Sequence, residues 1–107
     1  MEQRMKDKRV LVTGAGTGIG RGVALEFARE GAAVALHYMH SEAGAQSAVA
    51  EIEAAGGTAY ALQTDLRDAV QARALPGRAA EFLGGLDVLV NNAGITMNQP
   101  FLETTVE

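Results

Sequence analysis

Short, continuously apolar runs alternate along this chain with longer stretches whose apolar residues recur every three or four positions. The run from Arg9 to Thr13 has charge on one side and glycines on the other, the pattern of a parallel strand covered on both faces. Ala33 to Tyr38, Thr58 to Leu62 and Asp87 to Val90 repeat it. Between the first two strands Ile19, Val23, Phe27 and Ala28 fall at helical spacing, and Gly31 stops that helix. Ser41 is placed to cap a second helix with a buried stripe of Ala45, Ala48, Val49 and Ile52, ended by Gly56-Gly57. Asp68 with Gln71 three residues later resembles a capping box for a third helix, which Gly84-Gly85 closes. Pro76-Gly77 falls inside that helix, where proline removes a hydrogen bond at a cost of roughly 3 kcal/mol, so a kink or break is expected. From Ile95 the pattern gives way to a loop with Pro100, and Thr105-Val106-Glu107 reads as the first turn of another helix, so that the chain ends within an element.

Strands alternating with helices at this spacing make βαβ units with right-handed crossovers. The expected fold is α/β, a Rossmann-type doubly wound parallel sheet in the order 3-2-1-4, with ligand loops at the carboxyl ends of the strands. At 107 residues the chain is one unit or part of one, and it has no linker, repeat or low-complexity tract. The 48% hydrophobic and 21% charged content is that of a soluble globular protein, and a net charge of −4 argues against nucleic acid as a partner. Zero cysteines exclude disulfides, zinc–thiolate sites and a cysteine nucleophile, which suits the reducing cytoplasm expected as its location. Met1 to Arg9 lacks the apolar run of a signal peptide, and no apolar run approaches the ~20 residues of a membrane span, so no membrane partner is expected.

The first strand runs straight into Thr13-Gly14-Ala15-Gly16-Thr17-Gly18-Ile19-Gly20 and then a helix. Such a turn lets the backbone approach a pyrophosphate, with helix N–H groups and dipole facing the anion. Gly14 permits the tight turn, while Gly18 and Gly20 remove side chains that would block the phosphate and the helix packing. Small residues also suit any strand-to-helix turn, so the glycines gain meaning from a second motif at the end of the fourth strand, Asn91-Asn92-Ala93-Gly94.

Together these motifs resemble the classical short-chain dehydrogenase/reductases, whose cofactor loop is Thr-Gly-x-x-x-Gly-x-Gly and whose fourth strand precedes Asn-Asn-Ala-Gly. Asp65-Leu66 also stands where the family places an aspartate that accepts from the adenine amino group. The resemblance covers residues 8 to 107, and His37-Tyr38-Met39-His40-Ser41-Glu42 with Gly94-Ile95-Thr96 is most similar to the 3-oxoacyl-acyl-carrier-protein reductase group. It implies that residues 1 to 107 are the N-terminal, NAD(P)-binding part of a single domain. The implied chemistry is hydride transfer between a nicotinamide and a small carbonyl or alcohol substrate, in a parent that is a homo-oligomer. The implied cofactor-binding positions are Gly14, Ala15, Gly16, Thr17, Gly18, Ile19, Gly20, Tyr38, Met39, Asp65, Leu66, Asn91, Asn92, Ala93 and Gly94. The family's catalytic Tyr-x-x-x-Lys is absent: Tyr38 and Tyr60 are followed four residues on by Glu42 and Thr64, and Lys6 and Lys8 precede both. No catalytic residue is therefore assigned, and this chain alone is expected to be inactive. Asn91 and Asn92 are not the family's catalytic asparagine, which lies in the helix beginning near Thr105.

Cofactor choice turns on the end of the second strand, where a carboxylate favours NAD and an arginine favours the 2′-phosphate of NADP. Tyr38 and Met39 offer neither, and Thr17 replaces a frequent loop arginine. His37, His40 and Arg21 are the nearby groups able to offset phosphate charge, which tilts the reading to NADP. The two histidines lack a third ligand and are read as surface or pocket-rim residues, not a metal site. Met39 and Met97 are read as loop or lining residues, and Tyr60 as core. The alternative function is a non-catalytic nucleotide-binding or interaction module that completes its sheet with another chain. The fourth strand, lacking a fifth to pair with, is expected to promote self-association.

Overall fold

The apolar runs become strands β1 (Arg9–Val12), β2 (Ala33–Tyr38), β3 (Ala59–Gln63) and β4 (Val88–Val90). The periodic segments become helices α1 (Gly18–Arg29), α2 (Glu42–Ala54) and α3 (Ala69–Leu83). This computed structural model describes residues 4–92. The loop expected from Ile95 with Met97 and Pro100, and the helical turn expected at Thr105 to Glu107, lie outside the described residues.

Every strand pairing is parallel, as the alternation of elements implies, and the sheet order is the expected β3-β2-β1-β4. Register places Val12 beside both Leu36 and Val90, so β1 is central and buried on two faces. Alternate residues of the strands then feed separate cores. Val10, Val12, Val34, Leu36 and Ala59 pack with Ala24 of α1 and with Ala48 and Ile52 of α2. Leu11, Ala35 and Leu62 face the other way, onto Leu75 and Ala79 of α3. The chain steps outward from β1 to β3 with α1 and α2 on one face, then returns through α3 on the other. A right-handed crossover allows only that arrangement once the stepping direction reverses. The reversal opens a switch point between the carboxyl ends of β1 and β4.

Several local expectations are corrected by the structure. Helix α3 is unbroken through Pro76, because Leu75 and Ala79 are anchored in the core on either side of it. Ile19 leaves the buried stripe of α1 and is 79% exposed, while Gly20 and Ala24 face the core instead. Ser41 stands at the N-cap of α2 but its hydroxyl caps nothing. Asp68 caps α3 as expected, accepting from the N–H groups of Val70 and Gln71. The Gln71 amide donates to the Asp68 carboxylate at 3.3 Å and with its oxygen accepts from the Asp65 N–H at 3.0 Å, rather than from the N–H of the cap residue itself. Tyr60 is half-exposed rather than core, its ring 5.1 Å from that of Phe82 on the edge of the sheet that α3 covers only in part.

The amino end of β1 is held by charge. The Arg9 guanidinium meets the Asp87 carboxylate through two contacts of 2.9 and 3.1 Å and donates to the Gly84 carbonyl at 2.8 Å. Asp87 also accepts from the Arg9 N–H, and its own N–H returns to the Arg9 carbonyl. The guanidinium contacts, followed by that N–H, lower the Asp87 carboxyl to about 2. A carboxyl depressed on folding stabilises fully above its unfolded value of roughly 3.9 and loses that contribution as pH falls through the folded value. Asp87→Asn should therefore lower the melting temperature at neutral pH and flatten its decline below about pH 4. Melts across an acid series check this, and parallel curves for both proteins would contradict it.

Candidate functional site

At the carboxyl edge of the sheet β1 passes into the glycine loop, and neighbouring strands take up the loop's first polar groups. Gly14, at φ 65°, donates its N–H to Nδ1 of His37 at 2.9 Å, and the next N–H, of Ala15, goes to the His37 carbonyl at 2.8 Å. The Gly14 carbonyl accepts from the Asn92 amide at 3.2 Å. Thr13 Oγ1 accepts from the Asn92 N–H at 2.8 Å and lies 3.2 Å from Asn91 Oδ1, tying the β1 and β4 exits together. Ala15 is fully buried in the core, so only its backbone belongs to the site.

Beyond Ala15 the loop opens. Gly18 has φ +58°, a region that side chains with a Cβ rarely adopt, and a Cβ placed there would meet nothing within 4 Å. Thr17 precedes α1 in an extended conformation without a side-chain cap, and the first turn carries no acidic residue. The positive end of the α1 dipole thus faces open space beside the switch point, with first-turn N–H groups not capped by Thr17. A pyrophosphate fits those donors and that space.

Three glycines in this region serve close packing. A Cβ on Gly20 would be driven into the Gly14 carbonyl oxygen and lie 2.6 Å from Asn92 Nδ2. A Cβ on Gly16 would lie 2.6 Å from Ser41 Cβ, and one on Gly44 would collide with the Gly16 carbonyl oxygen. The loop is therefore seated on the start of α2. Arg21 reinforces the seat from α1, donating to the Gly44 carbonyl at 3.4 Å and to Ser47 Oγ at 3.0 Å, with Glu51 at 3.4 Å. Nothing in the spacing of Gly44 within an alanine-rich helix marked this contact.

The rim is formed where β2 and β3 end. Thr64 donates its N–H to the Tyr38 carbonyl at 3.1 Å, and the Gln63 amide donates to the Met39 carbonyl at 3.2 Å, placing Tyr38, Met39 and Asp65 on the same edge as Gly14. The Asp65 carboxylate accepts from the Arg67 side chain at 3.0 and 3.1 Å and from the Arg67 N–H at 2.9 Å. Those bonds hold its pKa below the ordinary carboxylate value, with a smaller contribution from His40. Leu66 turns inward and packs on the α3 side of the core. Ala93 and Gly94 lie outside the described residues.

His37 is the residue that sequence reasoning misplaced. It is 2% exposed, not a surface or rim histidine, and burial lowers its pKa, with the Thr64 carbonyl opposing and Arg78 adding to the shift. A buried, neutral His37 does not offset phosphate charge, and Arg21 is occupied by α2. Only the exposed His40 remains from the cationic set expected near the adenosine end. The signal was present: His37 is the one polar residue in Ala33-Val34-Ala35-Leu36-His37, at the strand register of inward-facing Ala35.

Order of strands, loop and switch point define an α/β unit of Rossmann type. Residues 8–107 match the family described as short chain dehydrogenase, and the chain belongs to that family. It is 48% identical over 103 residues to an L-rhamnose 1-dehydrogenase (NAD(P)(+)) of Sphingomonas sp. (strain SKA58), covering 96% of this chain and 41% of that protein. It is 47% identical over 89 residues to the 3-oxoacyl-acyl-carrier-protein reductase FabG of Staphylococcus aureus, covering 83% of this chain and 36% of that one. A short chain dehydrogenase from Burkholderia cenocepacia J2315, solved in complex with NADP, superposes with a TM-score of 0.82 at 51% identity. That match covers 86% of this chain and 38% of the other. The chain thus spans about two fifths of the length of these relatives.

Steric demand at the glycines separates packing from mere loop formation. Gly20→Ala and Gly44→Ala should each destabilise by ~1–3 kcal/mol, the usual cost of overpacking. Gly22→Ala, in α1 with open space around its Cβ, should stabilise by up to ~1 kcal/mol through helix propensity. Urea denaturation of the three variants tests the contrast, and equal effects would remove it.

Proposed function

We propose that residues 1–107 are the N-terminal, NAD(P)-binding part of a single-domain oxidoreductase that moves a hydride between a nicotinamide cofactor and a carbonyl or alcohol carbon. The observation that carries the reading is the open, positively polarised first turn of α1 beside the β1–β4 switch point. In this reading the α1 N–H groups hold the pyrophosphate, and Gly14, Gly16, Thr17, Gly18 and Gly20 shape its cradle. Exposed Ile19 supplies an apolar wall next to it. Tyr38, Met39, Asp65 and Leu66 frame the adenosine end, and Asn91 and Asn92 line the passage towards the nicotinamide. The bound nicotinamide supplies or accepts the hydride. The chain's own residues bind, orient and exclude water.

NADP is the favoured cofactor. No carboxylate stands at Tyr38 or Met39 to repel a 2′-phosphate, His40 is exposed close by, and a relative at 51% identity was solved with NADP. Relatives of almost equal identity are named for a sugar and for a 3-oxoacyl group, so the substrate class supported is a carbonyl or its alcohol. No Tyr-x-x-x-Lys occurs within these residues.

Calorimetric titration should show tighter binding of NADP+ than of NAD+. His40→Ala should narrow that difference, and Gly18→Val should abolish both bindings while leaving the far-ultraviolet spectrum intact. A valine that binds as well as glycine would remove the loop from the site. The 107-residue chain should also fail to oxidise NADPH with 3-oxoacyl or simple ketone substrates, since acid–base and electrostatic assistance at the carbonyl oxygen supplies several powers of ten in rate. Turnover from material of verified mass would refute that.

A further inference from the structure

His37 bridges two loops that the sheet holds side by side. Its ring lies on the α3 face of β2, where Nδ1 receives the Gly14 N–H at 2.9 Å and Nε2 lies 2.9 Å from the Thr64 carbonyl oxygen. A backbone N–H only donates and a carbonyl only accepts, so Nδ1 must carry the lone pair and Nε2 the proton. The ring is therefore fixed as the neutral Nε2–H tautomer. Its own carbonyl takes the next loop N–H, of Ala15. On the β3 side the support continues: Arg78 of α3 donates to Thr64 Oγ1 at 2.7 Å and to the Gln63 carbonyl at 3.0 Å. The result is a polar strut from α3 through Thr64 and His37 to Gly14, ending at the Asn92 amide on the Gly14 carbonyl.

We propose that His37 is the positioning residue of the glycine loop: as the neutral Nε2–H tautomer it holds Gly14 in the geometry that receives a dinucleotide, and its protonation releases the loop and weakens binding. The proposal deepens the dinucleotide-binding reading and rests on it. An imidazolium would carry a proton on Nδ1 pointed at the Gly14 N–H, two donors facing each other across a part-buried contact of a buried ring. Among the described residues, the charged group acting on the ring is Arg78, from α3. The turns that follow β1 and β3 present it with backbone groups, and α1 and α2 cover the opposite face of the sheet. Burial and the Arg78 guanidinium both disfavour the charged ring, against the partial opposition of the Thr64 carbonyl. The neutral form is then the working form at neutral pH, and binding is lost only on acidification.

Two variants separate positioning from simple core filling. Glutamine offers one acceptor and one donor that do not titrate, so His37→Gln should bind NADP+ within a few-fold of wild type at about pH 8 and keep that affinity on acidification. Phenylalanine fills the space but leaves the Gly14 N–H unpaired, so His37→Phe should bind about ten-fold or more weakly at every pH. Wild-type affinity should fall on acidification with a slope that the glutamine variant lacks. Titration of the cofactor's own phosphate is common to both proteins and cancels in the comparison. Independently of any ligand, 15N spectra should show His37 protonated at Nε2 and not at Nδ1, and the Gly14 amide should be protected from exchange in wild type and unprotected in His37→Phe. Identical affinities and pH slopes in all three proteins would overturn the role of His37. Failure of wild type to bind NADP+ while the tautomer and the Gly14 protection are as stated would instead refute the dinucleotide reading, and the proposal with it.

Discussion

Where β1 ends, the Gly14 peptide has to find partners for both its N–H and its carbonyl in a partly buried turn, with Val12 before it and Ala15 after it fully buried. An unpaired backbone group there costs about 1–3 kcal/mol, so the neighbouring strands must supply the bonds. β2 supplies the acceptor through the His37 ring and β4 supplies the donor through the Asn92 amide. The position of the glycine loop is thereby referred to three strands at once. The residues further along inherit it: Gly20 can approach the Gly14 carbonyl only because that carbonyl is already placed, and Gly16 can rest on Ser41 and Gly44 for the same reason.

The two ends of β1 are fastened by different physics. At the amino end the Arg9–Asp87 ion pair, with its backbone bonds, locks β1 to the entry of β4. At the carboxyl end the fastenings among the described residues are neutral hydrogen bonds from threonine, asparagine and a neutral histidine. A formal charge at Gly14 would compete with, or repel, an anion brought to α1. Neutral fastening leaves the helix dipole as the local field. A groove of about 640 Å³ lies at the amino ends of the strands, lined by residues such as Lys6, Arg29, Glu51 and Gly57. It contains none of the candidate residues, in keeping with the rule that open α/β sheets take ligands at the carboxyl ends.

Strand and helix positions were legible in the sequence because burial on two faces requires unbroken apolar runs, and the sheet order was legible through the resemblance to a family whose doubly wound sheet has it, since right-handed crossovers alone leave more than one order open. The glycine loop and the Asn91-Asn92 motif were legible for a related reason: close backbone approach excludes side chains, and that exclusion is written in residue type. The features that stayed hidden depend on partners far apart in the chain. Gly44 is an ordinary helix glycine until the Gly16 carbonyl is seen against it, and Ile19 fits a helical stripe until Gly20 is required to face Gly14. Pro76 argues for a break until the core anchors at Leu75 and Ala79 outweigh the lost bond. The sequence by itself determined the family, the fold and the place of the glycine loop. Only the tertiary structure decided that His37 is a buried, uncharged support rather than a rim cation, because a histidine's charge depends on the water and hydrogen-bond partners around its ring, and those come from β1, β3 and α3.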